Sequence, residues 1–243
     1  MGGCPGIRKS YTEKCQRTCR TFEESLKICS KDWKYVVGTI RAYAQPDGKV
    51  PEENMIRIME EVGLKEVYEN KTMKLKEMIT EFVGEAEQQY ERLVYLALFM
   101  CCGKDEPKAK YLCTFMNNMD VTKTEVSGEK FRAILEDLMR LSIKTIPEKV
   151  GKEKMEECEK MMGMDMPAMV KLWCKDCTLE VIPQQTVIDW VAKSRCFTTC
   201  EARAAVLECI KATEKQAAIE KARVEAAKAS VPKEVPKTEK VPT

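Results

Sequence analysis

The chain has 243 residues, and 44% of them are hydrophobic, which is enough apolar material to bury a core. Its 41 lysine and arginine residues nearly balance 39 aspartate and glutamate residues, so no overall field favours nucleic acid as a partner. The longest strongly apolar run, at 94–102, is nine residues, less than the roughly 20 that a membrane span requires. It predicts a helix buried in the fold instead. With no histidine, no nucleophile motif and no glycine-rich phosphate loop, we expect neither an enzyme nor a bound cofactor.

Helical periodicity runs through almost the whole chain and predicts an all-α protein, a multi-helix bundle with a long C-terminal helix and an extended tail. A break between Gly103 and Pro107 separates an N-terminal helical region (1–103) from a C-terminal helical region (104–213). The last region, 214–243, consists of an Ala/Glu/Lys helix and a Pro/Lys tail.

The first helix is predicted to be long. Ser10 and Glu13 form a capping box, in which each side chain satisfies a backbone N–H group at the helix start. From there, apolar residues alternate steps of four and three as far as the turn at 45–48. The seam consists of Cys15, Cys19, Phe22, Leu26, Cys29, Trp33, Val36 and Ile40. We therefore expect one continuous helix up to this turn, with its thiols on the packed face.

Further helices are predicted where apolar periodicity lies between Pro and Gly residues. One follows Pro51 and stops at Gly63, and a long stretch from about 72 to 102 is interrupted by Gly84. Others are expected at about 108–118, 127–144, 147–162, 167–176 and 183–195.

The last predicted helix opens with a second capping box, formed by Thr198 and Glu201, and runs to about Ala229. The tail at 231–243, rich in valine, proline and lysine, is too polar to fold alone. We expect it to be extended and to contact a partner chain.

Three segments share one layout: a β-branched residue, then Pro or Ser, mostly polar residues, and an apolar helix face. They lie at 50–59, 126–135 and 182–191. This layout resembles the second half of an EF-hand, where the β-branched residue pairs with the sister loop and the next residue opens a helix. The first copy, with Asp47-Gly48-Lys49-Val50, is similar to calmodulin and the myosin light chains. The resemblance implies EF-hand-like helix-loop-helix pairs; the alternative is ordinary capped helix starts in an unrelated bundle.

The calcium ligands of such a hand are largely missing. With Gly48 at the sixth loop position, positions 1, 3, 5 and 12 are Tyr43, Gln45, Asp47 and Asn54. The twelfth positions of the other copies are Lys130 and Thr186. Because only one carboxylate remains in the first loop and the bidentate glutamate is absent, we expect degenerate hands without metal. A calcium-binding EF-hand sensor is kept as an alternative.

Thirteen cysteines are unusual for a helical chain of this kind. Spacings of four, as in Cys15/Cys19 and Cys196/Cys200, put two thiols on one helix face. We predict that a seam of thiols or disulfides supports the helix contacts. Its members are Cys15, Cys19, Cys29, Cys101, Cys102, Cys113, Cys174, Cys177, Cys196, Cys200 and Cys209. The one CxxC, at 174–177, lacks the second pair that a zinc site needs, so no metal is expected.

The gaps of nine residues between Cys19 and Cys29 and of ten between Cys102 and Cys113 resemble the CX9C helical hairpins of the mitochondrial intermembrane space. In that family, two thiol pairs on antiparallel helices are cross-linked. The resemblance implies that compartment, with the cytoplasm as the alternative.

These observations together predict a non-catalytic helical scaffold or accessory subunit of a larger protein assembly, such as a mitochondrial membrane complex. Its partners would be other protein subunits, contacted by the C-terminal tail. A second hypothesis is a disulfide-stapled carrier of small apolar ligands, similar to insect odorant-binding proteins in its C-x3-C and C-x8-C spacings. That hypothesis predicts a closed apolar cavity of several hundred Å³.

Overall fold

The structure is a computed structural model, and it describes residues 14–84, 89–150, 165–174, 178–194 and 197–229. These residues are mainly helical, with one short two-stranded sheet, so the predicted all-α class is confirmed. The capping box predicted at Ser10 and Glu13 lies outside the described residues.

Two helices replace the single long helix predicted near the N-terminus. They are α1 (Lys14–Ser25) and α2 (Trp33–Tyr43), separated by a 3₁₀ turn at Ile28–Ser30. Lys27 has a φ of 59°, in the left-handed region that ends a helix. The Asp32 carboxylate accepts hydrogen bonds from two N–H groups in the first turn of α2. The continuous helix was wrong because Asp32 is a strong N-cap that starts a new helix.

The next four helices are α3 (Glu52–Glu61), α4 (Lys65–Glu69), α5 (Leu75–Val83) and α6 (Gln89–Met100). α3 follows Pro51 and ends before Gly63, whose φ is +68°, as the sequence predicted. Every side chain of α6 from Leu93 to Met100 is buried, which confirms the central helix expected there. α2 packs against α3 and α6, and α5 also contacts α6.

The described residues of the second half form nine further elements. They are α7 (Asp105–Met116), β1 (Glu125–Ser127), α8 (Gly128–Arg140), a π-helical segment (Leu141–Thr145), α9 (Ile146–Val150), α10 (Met166–Trp173), β2 (Val181–Pro183), α11 (Gln184–Ser194) and α12 (Thr199–Ala229). β1 and β2 are antiparallel, with Val126 opposite Ile182. α7 packs against α11, and α8 packs against α10.

The chain divides into two compact units, Met1–Val206 and Leu207–Thr243. The first contains the large apolar core. α12 begins in the first unit, where the predicted capping box is confirmed: the Thr198 hydroxyl donates to Glu201 Oε2 at 2.9 Å and accepts from the Glu201 N–H. In the second unit, the described side chains from 211 to 225 are exposed. In the described part of the chain, no helix has the length and apolar character of a membrane span.

Candidate functional site

The predicted cysteines are distributed over several parts of the molecule. Cys19, Cys101, Cys113 and Cys174 are buried, Cys29 and Cys200 are half-buried, and Cys102 is exposed. Cys19, Cys29, Cys101, Cys102 and Cys113 are free thiols. Cys15 and Cys209 belong to α1 and α12, but their side chains lie outside the described residues, as do Cys177 and Cys196 altogether. Four of the seven described thiols are therefore buried in the core. No disulfide joins any two of the five free thiols.

Burial makes these thiols poor nucleophiles. It raises the pKa of Cys19 to about 11 and the pKa of Cys101 and Cys113 to about 12. Burial also raises the pKa of Cys29. Since the thiolate is the reactive and metal-binding form, these side chains stay protonated and unreactive near neutral pH. These side chains act as small apolar groups in helix contacts.

A buried ion pair joins the start of the described chain to its last helix. Arg203 of α12 and Glu23 of α1 are both almost inaccessible to solvent, and Arg203 Nη2 donates to Glu23 Oε2 at 2.9 Å. The second carboxylate oxygen of Glu23 accepts from the Thr199 hydroxyl at 2.5 Å. Arg203 Nε donates to Gln16 Oε1 at 2.7 Å, and Nη1 donates to the Ser142 carbonyl at 2.6 Å. α1, the π-helical segment and α12 are thus held by one hydrogen-bonded cluster.

This cluster, which we call the Arg203 cluster, surrounds Cys19. Gln16, Cys19 and Glu23 follow one another along one face of α1, at helical spacing. The charge of Arg203 lowers the pKa of Cys19 less than burial raises it, so the thiol stays protonated. Sequence reasoning missed Arg203 because a lone arginine in an Ala/Glu/Lys helix has the pattern of a solvated face.

A second feature is the paired loops, defined as 117–127 between α7 and α8 and 178–183 before α11. The loops meet through β1 and β2, where Val126 and Ile182 are buried opposite each other. These are the β-branched residues of the second and third sequence copies. The Gly128 N–H donates to the Glu180 carbonyl and the Gln184 N–H donates to the Thr124 carbonyl, both at 2.8 Å.

Protein groups occupy the hydrogen-bonding positions inside the first of the paired loops. Lys130, the residue at the twelfth loop position, donates from Nζ to the Met116 carbonyl at 3.3 Å. The Asn117 side-chain amide donates to the Glu125 carbonyl at 2.7 Å. The loop is therefore closed from both ends by donors of the chain itself.

In the first sequence copy, the side chain at the twelfth position also donates to a backbone carbonyl, but the loop does not pair with a second loop. Asn54, at its twelfth position, donates from Nδ2 to the Tyr43 carbonyl at 2.9 Å. Gly48 has a φ of +79°, and the Val50 N–H donates to Gln89 Oε1 at 3.0 Å rather than to a sister strand. The copy that looked closest in sequence is thus the one whose loop forms no strand in the described part of the chain.

The surface of the paired loops exposes several apolar side chains. Val121 is 81% exposed, Leu179 49%, Val181 48% and Met119 41%, and these make up most of the large exposed apolar side chains in unit 1 among the described residues. One of them, Val181, lines an open groove of about 1040 Å³ whose other lining residues include Lys123, Glu129 and Arg132. Asn118 and Met119 also have φ values of 56° and 64°, a left-handed conformation that asparagine tolerates but that is strained for methionine. Strained backbone and exposed apolar groups coincide here.

Among the described residues, no group of three or more Cys, Asp or Glu side chains could hold a metal ion. No protein-family model, curated protein or solved structure matches the chain.

Proposed function

We propose that this protein is a non-catalytic helical scaffold or accessory subunit that binds other proteins through a degenerate EF-hand-like pair. In this proposal α7 and α8 form one hand, and α10 and α11 form its sister. Three features support the assignment: the Val126–Ile182 pairing, the packing of α7 on α11, and the packing of α8 on α10. Each helix contact thus joins one helix from each hand, as in two helix pairs related by a two-fold axis.

The observation that carries the proposal is the hydrogen bond from Lys130 to Met116. An EF-hand needs a bidentate glutamate at this position to hold calcium. Lys130 places a positive charge there, and Asn54 places a neutral donor at the matching position of the first copy. Both side chains present N–H donors at the position where a calcium-binding loop presents carboxylate oxygens to the ion. In this proposal the loops keep their shape without a metal and serve as fixed surfaces.

The partner surface in this proposal is the paired loops, with the C-terminal tail as a second contact. Val121, Leu179 and Val181 supply apolar contact area, and exposed apolar patches on a soluble protein mark interaction sites. The tail, 230–243, lies outside the described residues, and its role rests on its composition. The partners are other protein subunits and not nucleic acid, because the net charge of +2 gives no basic field.

The setting we propose is a mitochondrial membrane complex facing the intermembrane space, and it rests on the cysteine spacings. The two motif regions are in contact: the Cys102 Sγ donates to the carbonyl of Ser30, the residue after Cys29 in sequence, at 3.6 Å. Cys113 lies elsewhere, with Sγ 4.0 Å from the Gln184 carbonyl. The setting requires cross-links that the four cysteines of the two motifs, which are free thiols in the structure, do not form there. Non-reducing mass mapping of protein from cells tests the setting, and thiols that are all reduced would contradict it.

Native mass spectrometry after affinity purification tests the scaffold function. The wild-type chain should be recovered in a larger assembly. The amount of assembly recovered with the double variant Val121→Glu/Leu179→Glu should be at least tenfold lower. The matched control Ile219→Glu/Val224→Glu alters two exposed apolar side chains on α12 and should not reduce recovery. A stable free monomer in the wild type would contradict the proposal.

A calcium sensor is the alternative that calorimetry decides. Titration of the full chain with calcium chloride should give no binding heat, because Lys130 opposes a cation in its loop. Saturable binding heat in the full chain would support the sensor instead. The other alternative, a disulfide-stapled carrier of small apolar ligands, predicts a closed cavity, whereas the apolar cleft of the first unit is open to solvent.

A further inference from the structure

A cleft in the first unit is lined by α3, α4, α5 with Gly84 after it, the turn before α3, and Gln89 at the start of α6. Its volume is about 380 Å³. The apolar lining consists of Val50, Met55, Tyr68, Ile79 and Val83, each less than a tenth exposed. Clefts of about 300–1,000 Å³ with mostly apolar walls are typical of small-molecule sites. The cleft is therefore large enough and apolar enough to take a small ligand.

The charged groups that line the cleft differ in how well they are neutralised. Glu52 accepts a hydrogen bond from the Lys76 ammonium and another from the Tyr68 hydroxyl at 3.3 Å. Both ion pairs are more than half exposed, but Lys49 Nζ and Asp47 Oδ2 are 3.7 Å apart, a longer contact than that between Lys76 and Glu52. An exposed pair of this kind contributes at most about 1 kcal/mol. Lys49 is consequently the lining charge that can pair with a ligand.

We propose that this cleft binds a small amphiphilic anion, an alkyl carboxylate of about ten carbons. Its chain lies among the apolar walls and its carboxylate meets Lys49. At about 30 Å³ for each water-sized group, the volume holds about a dozen such groups, which matches a chain of this length. The cleft is distant in sequence from the paired loops, and the proposal does not rest on the scaffold function.

A chain-length series tests the apolar part of the site. Isothermal titration calorimetry of the full-length protein uses hexanoate, octanoate, decanoate and hexadecanoate, each below its micelle concentration. Each added methylene should raise the affinity about fourfold up to decanoate. Hexadecanoate, which exceeds the volume, should bind no more tightly than decanoate. Affinity that is independent of length, or that keeps rising at the same rate to hexadecanoate, would overturn the proposal.

A cleft-filling variant locates the binding. Thr80 is exposed, belongs to α5 and lines the cleft, so Thr80→Trp should fill it without disturbing the core. Decanoate affinity should fall at least tenfold. Thr21→Trp places the same side chain at an exposed position of α1 and should leave the affinity unchanged. If Thr80→Trp does not fold, Gln45→Trp fills the cleft from the turn; unchanged affinity in the folded variant would overturn the proposal.

Head-group variants test the role of Lys49. Lys49→Met should weaken decanoate binding about tenfold and leave decanol binding unchanged. The control Lys171→Met, at an exposed position of α10, should leave the affinity for both ligands unchanged. Decyltrimethylammonium should bind more weakly than decanoate. Equal or tighter binding of this cation would contradict an anion site.

Discussion

Glu201 is a partly buried carboxyl group at the start of α12. Burial raises the pKa of this side chain from 4.5 to about 7, and the nearby charge of Asp105 adds to the effect. Because the folded protein holds this proton more tightly than the unfolded chain, its contribution to stability is complete below about pH 4.5 and is lost as the pH rises to 7. The hydrogen bonds with Thr198 favour the charged carboxylate, but burial outweighs them, so the folded protein is most stable with Glu201 neutral.

Glu201→Gln should remove this pH dependence, since the amide stays neutral. Relative to wild type, the free energy of unfolding of the variant should improve by up to about 3 kcal/mol between pH 4.5 and 7.5. Urea unfolding at both pH values measures it, with Glu208→Gln, an exposed change on the same helix, as the control. Equal pH profiles for the two variants would contradict the raised pKa.

Arg203 should tolerate substitution far less well than an exposed arginine. Arg203→Met leaves the Glu23 carboxylate buried without its counter-ion, and the free energy of unfolding should fall by about 3–5 kcal/mol. Arg20→Met removes a pair whose side chains are 47% and 60% exposed, and should cost less than about 1 kcal/mol. Adding Glu23→Gln to Arg203→Met should recover part of the loss in a chemical denaturation cycle. Equal costs for the two arginine variants would show that the cluster is unimportant.

The junction between β1 and α8 depends on the absence of a side chain at Gly128. A Cβ atom there would lie 1.8 Å from the Leu179 carbonyl oxygen. Because this obstacle is backbone of the second of the paired loops, it cannot move aside as a flexible side chain would. The two loops can approach this closely only with glycine at the position.

Gly128→Ala should therefore separate the paired loops and lower the free energy of unfolding by about 1–3 kcal/mol. Gly38→Ala is the matched control within α2, where a Cβ atom meets nothing within 4 Å. It should stabilise the protein by about 1 kcal/mol, because alanine favours the helix. Thermal unfolding of both variants measures the difference, and two shifts of the same sign would contradict the loop contact.

The helices were largely predictable because their apolar periodicity and their Pro, Gly and capping residues are local signals. The break after Lys27 was not predicted, since the seam of apolar residues continues through it and only the cap at Asp32 marks it. β1 and β2 have three residues each, too few for an alternating pattern to be recognised. The Arg203 cluster joins residues about 180 positions apart, and no local pattern indicates such a contact.

The two compact units of the chain differ in what supports their helices. Within the first unit, α12 buries Thr199, Ala202, Arg203 and Val206. From 211 to 225 its described side chains are exposed, so this part gains little from packing. Helical stability in the second unit depends on the intrinsic preference of its Ala, Glu and Lys residues.

Hydrogen exchange along α12 should show this difference. Amides at 211–225 should exchange at least about tenfold faster than amides at 202–206, because exchange follows local opening. Mass spectrometry of pepsin fragments gives the two rates in one experiment, with α6 as the protected reference. Uniform protection along α12 would show that the second unit has a packing partner.

The π-helical segment at 141–145 fixes the length of the chain at that point. The Ile146 N–H bonds to Leu141, five residues back, and the carbonyl of Ser142 is left to receive Arg203. If one residue were deleted there, the backbone would return to α-helical hydrogen bonds between residues four apart. The residues that follow would be rotated about the helix axis by about 100°. Among natural variants of this protein, insertions and deletions should accordingly be excluded from this stretch even where side chains are exchanged.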